Sequence, residues 1–224
     1  MTNLSEIEKK FKDKALFELS LTHRSWINES EKALESNERL EFLGDAILEF
    51  VVSSHLYGVL PGKEEGFLTA LRSNIVNTRN LAAFAKKIDL GKALLLSKGE
   101  EQGGGRKNES LLANTVEALI GAIFLDQGLL AVSRFIEDTL LSDLEEKLNL
   151  PLKDPKSRLQ ELVQAKGYSA PRYQVVSENG PDHAKLFKIA AIVNGETLAV
   201  ATGKSKNIAE QKAAESALAA FSSK

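Results

Sequence analysis

Residues 37–52 constrain the fold more than any other part of the chain. Leu40, Phe42, Leu43, Ala46, Ile47, Leu48, Phe50, Val51 and Val52 cover so much of a helical surface that the helix is expected to be largely buried. Glu38, Glu41, Asp45 and Glu49 nevertheless follow one another at steps of three or four, so they share one face. Like charges at that spacing cost roughly a few tenths of a kcal/mol per pair unless something positive neutralises them. A divalent ion that prefers oxygen would do so, and spacing alone leaves a solvated acidic stripe as the alternative. Gly44, in mid-helix, costs about 1 kcal/mol relative to alanine and points to a close approach by another backbone or a ligand.

The chain has 224 residues, room for one large domain or two small ones. Cysteine is absent, which excludes disulfides, thiolate zinc sites and cysteine nucleophiles and fits a reducing cytosol. The first ten residues hold no apolar stretch of the signal-peptide kind. No run approaches the roughly 18 apolar residues of a membrane span. A cytoplasmic location without membrane association is therefore expected. The net charge of −2 is unevenly spread: residues 154–224 hold 10 Lys and Arg against 7 Asp and Glu, and the remainder 19 against 24. An acidic front part joined to a mildly basic back part suits a metal-dependent site beside a polyanion-binding module.

Helical spacing of apolar residues marks 16–21, 37–60, 67–76, 78–87, 110–125 and 129–148. The breakers Pro61-Gly62, Asp89-Leu90-Gly91 and Gly103-Gly104-Gly105 separate them. The triple glycine reads as a mobile loop. A phosphate cradle is the sharper alternative, but no lysine-serine pair follows it and no strand precedes it. Past Lys153 the pattern changes. Asp154-Pro155 starts a helix that runs to about Lys166, where Gly167 stops it. Strands at 172–177, 185–193 and 197–202 follow, the last two joined by the hairpin signal Asn194-Gly195, and a helix at 207–221 closes the chain. The expectation is an all-α domain over 1–150 and a small α+β (α-β-β-β-α) domain over 154–224, its two helices on one face of a three-stranded sheet.

A second acid-bearing helix lies at 110–125. Asn114 and Glu117, three apart, share a face, and Glu117 is the one carboxylate between Ser110 and Leu125. An acid alone in so apolar a helix is paired, exposed or a ligand.

Asn37-Glu38-Arg39-Leu40-Glu41-Phe42-Leu43-Gly44-Asp45 resembles the ribonuclease III signature at each of its nine positions. Leu112-Ala113-Asn114-Thr115-Val116-Glu117-Ala118 is similar to the family's second motif, L-A-D-x-x-E-A, and Leu21-Thr22-His23-Arg24-Ser25 to its early L-T-H-R-S stretch. Glu65-Gly66 with Leu71-Arg72 resembles E-G-x-L-S-x-L-R, with Thr69 in place of the serine. The resemblance implies a catalytic Mg²⁺ site, Mn²⁺ able to substitute, at Glu41, Asp45, Asn114 and Glu117. It places Glu38 and Glu65 at the edges of a catalytic valley. It implies a homodimer with one cleavage centre per subunit, in which Phe42 enters the partner; read from its alternation with the acids alone, Phe42 is simple core. His23 and His55 read as structural, and three scattered histidines make no zinc site.

Asn114 stands where the family carries aspartate. The change keeps one oxygen, removes a charge and adds two N–H donors. For a charge about 4 Å from a metal, the lost attraction is on the order of 1 to 4 kcal/mol per unit metal charge. Weaker Mg²⁺ binding and slower cleavage are expected, with RNA binding spared.

The back domain resembles a double-stranded-RNA-binding domain over its whole length. Such a domain reads shape, phosphates and 2′-hydroxyls, because duplex RNA hides its base edges in a narrow major groove. The matching contact residues are Ser157, Gln160, Glu161 and Gln164 on the first helix, the loop Gly180-Pro181-Asp182-His183, and Lys204-Ser205-Lys206 before the last helix. Lysines and a positive helix end suit the RNA backbone there. Two family lysines are replaced, by Asn207 and Glu210, and Lys212 compensates in part. Modest, strongly salt-dependent affinity follows. Gly203-Lys204-Ser205 is no nucleotide loop, since position 198 holds Leu198 rather than glycine, and no nucleotide cofactor is expected. The implied activity is Mg²⁺-dependent hydrolysis of double-stranded RNA to staggered ends with 5′-phosphate and 3′-hydroxyl groups, of the kind that processes rRNA and mRNA precursors. The alternative is a double-stranded-RNA-binding protein with little or no cleavage.

Overall fold

A computed structural model describes residues 3–30, 35–148, 154–181 and 185–222. The chain divides into two compact units, Met1–Leu150 and Pro151–Lys224.

The first unit is helical. Its elements are α1 (Leu4–Lys10), α2 (Lys14–Ser20), α3 (Arg24–Ile27), α4 (Glu38–Val59), α5 (Glu65–Val76), α6 (Thr78–Lys87), α7 (Leu90–Ala93), α8 (Lys98–Gln102), α9 (Glu109–Gln127), α10 (Leu129–Thr139) and α11 (Leu144–Leu148). Capping explains many of the starts. Asn3 and Glu6 form a capping box on α1, while Asp13, Asn77, Ser97 and Asn108 accept from the free N–H groups of α2, α6, α8 and α9.

Helix α9 forms the centre, buried almost throughout from Leu112 to Ile123, with α2, α4, α6 and α10 packed around it. Where α4 crosses α9 the backbones touch. A Cβ on Gly44 would lie 1.7 Å from the Glu117 carbonyl oxygen, and one on Gly121 would lie 2.4 Å from the Leu40 carbonyl oxygen. The neighbour implied by Gly44 is thus another backbone. Packing along this crossing offsets the helix cost of both glycines.

Four expectations need correction. Helix α4 is not largely buried: Leu40, Ile47, Leu48, Val51, Val52 and Leu56 face the core, whereas Phe42, Phe50, Tyr57 and Val59 are exposed. By length and mean hydropathy, 1.2 over 18 residues, α4 also reaches the range of a membrane span, which a search for unbroken apolar runs passes over. Residues 129–148 are not one helix. Thr139 Oγ1 donates to the Phe135 carbonyl and Ser142 Oγ to the Thr139 carbonyl, and such local bonds compete with the helical ladder. Finally, the triple glycine is no loose loop. Gly105–Lys107 forms a turn of 3₁₀ helix, and Arg106 pins it by donating to the carbonyls of Gly91, Lys92 and Leu94 and pairing with Glu101.

The second unit has the expected order: α12 (Pro155–Ala165), β1 (Arg172–Asn179), β2 (Leu186–Val193), β3 (Glu196–Gly203) and α13 (Lys206–Ser222). Asp154 caps α12, with Pro155 at the first helical position. The sheet is antiparallel in the order β1-β2-β3, with a register shift between Val175 and Ser177. Asn194 and Gly195 turn the β2–β3 hairpin, both at positive φ as a tight two-residue turn requires. Leu159 and Val163 of α12 meet Ala191 and Val193 of β2 and the α13 face of Ala213, Ala214, Ala217 and Phe221. The alanines let α13 lie close against the sheet.

Candidate functional site

The α4–α9 crossing carries the acids. Glu41 and Asp45 project from the first two turns of α4, with Gly44 between them against the Glu117 carbonyl. Asn114 and Glu117 project from the second and third turns of α9. All four line one cavity of about 550 Å³ together with Glu38, Phe42, Asn37, His23, Arg24, Leu111 and Thr115.

Buried Asn37 fixes where α4 begins. Its side-chain N–H donates to the Ser20 carbonyl at 3.1 Å, and its backbone N–H donates to the Thr22 carbonyl at 2.9 Å. His23 caps α3, its Nδ1 accepting from the Ser25 N–H at 3.2 Å, in keeping with a structural role. His55 lies 3.5 Å from Glu137. Arg24 stands at the cavity rim, 3.6 Å from Glu38. Sequence reasoning left His23 and Arg24 out of the site although the L-T-H-R-S match marked both. Glu65 lies elsewhere, exposed on the first turn of α5, where Thr69 Oγ1 donates to it at 2.9 Å. Phe42 is 81% exposed, which rules out its being core.

The electrostatics reflect the crowding of acids. Burial, followed by the facing Asp45 and Glu41 carboxylates, pushes the Glu117 pKa up to about 7. Burial also raises Glu41, with Glu38 and Asp45 adding to the effect, while a hydrogen bond from Asn114 opposes it. Three carboxylates and a carboxamide are hard oxygen donors of the kind that hold Mg²⁺ or Mn²⁺. Among the described residues no three Asp, Glu or His side chains already stand in a metal-holding arrangement. The donor set fits a hard dication, and the mutual repulsion of its acids is what such an ion would relieve.

In the second unit, Gln160, Glu161 and Gln164 lie exposed along α12, and Ser157 Oγ donates to Asp154 at 2.6 Å. Ser205 Oγ accepts from the Ile208 N–H at 3.2 Å at the start of α13. Lys204 and Lys212 are exposed. Lys206 sits 3.2 Å from Glu178 and over the Phe187 ring. His183 lies outside the described residues. Glu210 has a partner that spacing did not disclose, Lys156 of α12 at 2.6 Å, so this pair joins the two helices that carry the expected contacts.

Two family models match the chain: Ribonuclease-III-like over residues 13–144 and Double-stranded RNA binding motif over residues 155–220. Ribonuclease 3 of Streptococcus equi subsp. zooepidemicus is 43% identical over 214 residues, 95% of this chain and 93% of that protein. Ribonuclease 3 of Streptococcus pyogenes serotype M1 is 44% identical over 213 residues, with the same coverage. Among solved structures, a nuclease domain of ribonuclease III from Campylobacter jejuni aligns at TM-score 0.57 and 37% identity, covering 64% of this chain and 97% of that one. A second structure of that domain aligns at TM-score 0.55 and 39% identity, covering 61% and 98%, and is described as showing flexibility in a region involved in dimer formation. The chain belongs to the ribonuclease III family, with a helical endoribonuclease domain followed by a double-stranded-RNA-binding domain.

Proposed function

We propose that this chain is a Mg²⁺-dependent endonuclease of double-stranded RNA, with Glu41, Asp45, Asn114 and Glu117 as its metal and catalytic residues. The observation that carries the reading is that these four side chains, from two crossing helices, line one cavity in a chain that also holds a double-stranded RNA binding motif. Mn²⁺ would substitute, since the donors are all oxygens. A bound ion supplies water of lowered pKa and shields the phosphate charge. The three carboxylates would hold that ion, and Asn114 would offer it a neutral oxygen beside Glu41. The rim cation Arg24 faces incoming phosphate, held toward the cavity by Glu38. Hydrolysis with departure of the 3′-oxygen leaves 5′-phosphate and 3′-hydroxyl groups, offset cuts on the two strands leave the ends staggered, and precursors of rRNA and mRNA are the proposed substrates.

A homodimer is part of this reading. Phe42, Phe50 and Tyr57 are exposed on α4, and large apolar groups of this kind mark a protein interface. Dimer formation by the Campylobacter nuclease domain supports it. In the RNA-binding domain, Ser157, Gln160, Glu161, Gln164 and His183 would face minor grooves, and Lys204, Ser205, Lys206 and Lys212 the backbone between them.

One observation favours a second reading, a duplex-RNA binder with little cleavage: Asn114 leaves the site one carboxylate short. Glu117→Gln and Glu41→Gln test the main reading. Both should abolish cleavage of a duplex RNA while binding it in EDTA as the unchanged chain does. Undiminished cleavage by either variant would overturn the assignment.

A further inference from the structure

Among the described glycines, the closest backbone approach lies between the two turns that carry the acids. Gly44 adjoins Asp45, and the atom a Cβ there would strike is the backbone oxygen of Glu117 itself, 1.7 Å away. Gly121, one turn beyond Glu117, is the reciprocal case. Its Cβ would lie 2.4 Å from the carbonyl oxygen of Leu40, the residue before Glu41, and 3.2 Å from the backbone nitrogen of Gly44. In both cases the obstacle is backbone, so no rotamer change could relieve it. Any side chain at either position would force α4 and α9 apart at the level of the ligands.

We propose that Gly44 and Gly121 are positioning residues for the metal. They set the separation of Glu41 and Asp45 on α4 from Asn114 and Glu117 on α9 before an ion arrives. The inference rests on the metal reading above and adds the device that holds the two halves of the site in register. Ile47 and Leu48 of α4 and Leu119 of α9 are buried by their side chains, as residues at helix interfaces ordinarily are. At the ligand turns backbone meets backbone. Carboxylates on separate helices repel as they approach, and Glu41, Asp45 and Glu117 line one cavity from α4 and α9. Fixed backbone contact holds the acids together where side-chain packing, which can relax, would let them spread.

The test uses the full chain, Mn²⁺ as probe, and paramagnetic resonance of free Mn²⁺ to read binding directly. Gly121→Ala should lower Mn²⁺ affinity by about tenfold or more, the range found when supports of metal ligands are altered. Ile75→Ala, a fully buried change on α5 away from the cavity, serves as a matched loss of stability. It should leave Mn²⁺ affinity within about twofold, as distant sites do. Equal Mn²⁺ affinity in both variants would overturn the inference, leaving the glycines a role in packing alone. Should Gly121→Ala fail to fold, hydrogen exchange on the unchanged chain decides. Amides at the crossing, residues 40–48 and 114–122, should be fully protected in EDTA and unaffected by Mn²⁺. Protection that appears only with Mn²⁺ would mean that the ion sets the spacing, contrary to the proposal. If neither the unchanged chain nor Asn114→Asp binds Mn²⁺ at all, the metal reading itself fails and the inference with it.

Discussion

Asn114 on α9 and Glu41 on α4 line the same cavity from the two crossing helices, the one neutral member of the set beside its carboxylates. Burial raises the Glu41 pKa, Asn114 lowers it, and Glu38 and Asp45 add to the rise. Asn114→Asp exchanges the neutral amide for a further negative charge. In EDTA the variant should be less stable than the unchanged chain, because five acids then line one cavity with no metal ion to neutralise them. With Mn²⁺ the order should reverse, and affinity should rise about tenfold or more, since a unit charge near the ion is worth on the order of 1 to 4 kcal/mol. Calorimetric titration with Mn²⁺, beside thermal melts in EDTA, checks both halves.

Glu117 makes metal-free stability depend on pH in an identifiable direction. Its folded pKa, about 7, lies above the ordinary 4.5, so the folded chain holds this proton more tightly than the unfolded one. The stability this confers is complete below about pH 4.5, falls as pH rises toward 7, and is lost above that. Glu41, raised for the same leading reason, adds to the fall. Glu117→Gln should remove much of this dependence and be more stable than the unchanged chain at pH 8 in EDTA. Denaturant midpoints of the two proteins from pH 5 to 8 measure the difference. A constant gap would show that Glu117 does not titrate in this range.

The Lys156–Glu210 pair at 2.6 Å exchanges RNA-binding charge for a link between α12 and α13. Glu210→Lys should lower the stability of the second unit by about 1 kcal/mol, the upper end for partly exposed pairs. It should also tighten duplex binding and steepen its salt dependence by about one unit of slope. Adding Lys156→Glu should restore the melting temperature and reverse the gain in affinity. Melts and salt titrations of the three proteins provide the comparison.

Tyr173 carries the buried side-chain polar atom that, among the described residues, has no hydrogen-bond partner. Burial, then Glu210 and Asp154, push its pKa up to about 12, so the phenol stays neutral and unsatisfied. Tyr173→Phe keeps the ring beneath Lys156 and removes the stranded hydroxyl. A gain of about 1 kcal/mol in unfolding free energy is expected. A loss of that size would mean the hydroxyl is satisfied in solution.

Local rules made much of this protein legible from its residues. Asp154-Pro155 and Asn194-Gly195 announce a helix start and a hairpin, because capping and positive φ are decided by a few adjacent atoms. Glu41, Asp45, Asn114 and Glu117 are picked out by the resemblance of their two motifs, since spacing alone leaves a solvated acidic stripe and an exposed Glu117 open. What spacing could not disclose was decided by distant partners. Arg106 turns three glycines into a fixed bend only because three carbonyls of residues 91–94 come within its reach. Phe42 reads as core by alternation, yet it stands exposed at the cavity. The break after Thr139 depends on hydroxyls bonding back to the chain, which apolar periodicity does not register. Lys156 and Glu210 are 54 residues apart, and only the fold brings them together.

The most direct test of the account is single-turnover cleavage of a duplex RNA by the unchanged chain and by Asn114→Asp, across a range of Mg²⁺ concentrations, with an unpaired RNA of the same length as control. Both proteins should cut the duplex and spare the unpaired strand, the Asn114 form half-saturating at higher Mg²⁺. The products should carry 5′-phosphates. Cleavage by neither protein at any Mg²⁺ concentration, or cleavage that persists in EDTA, would contradict it.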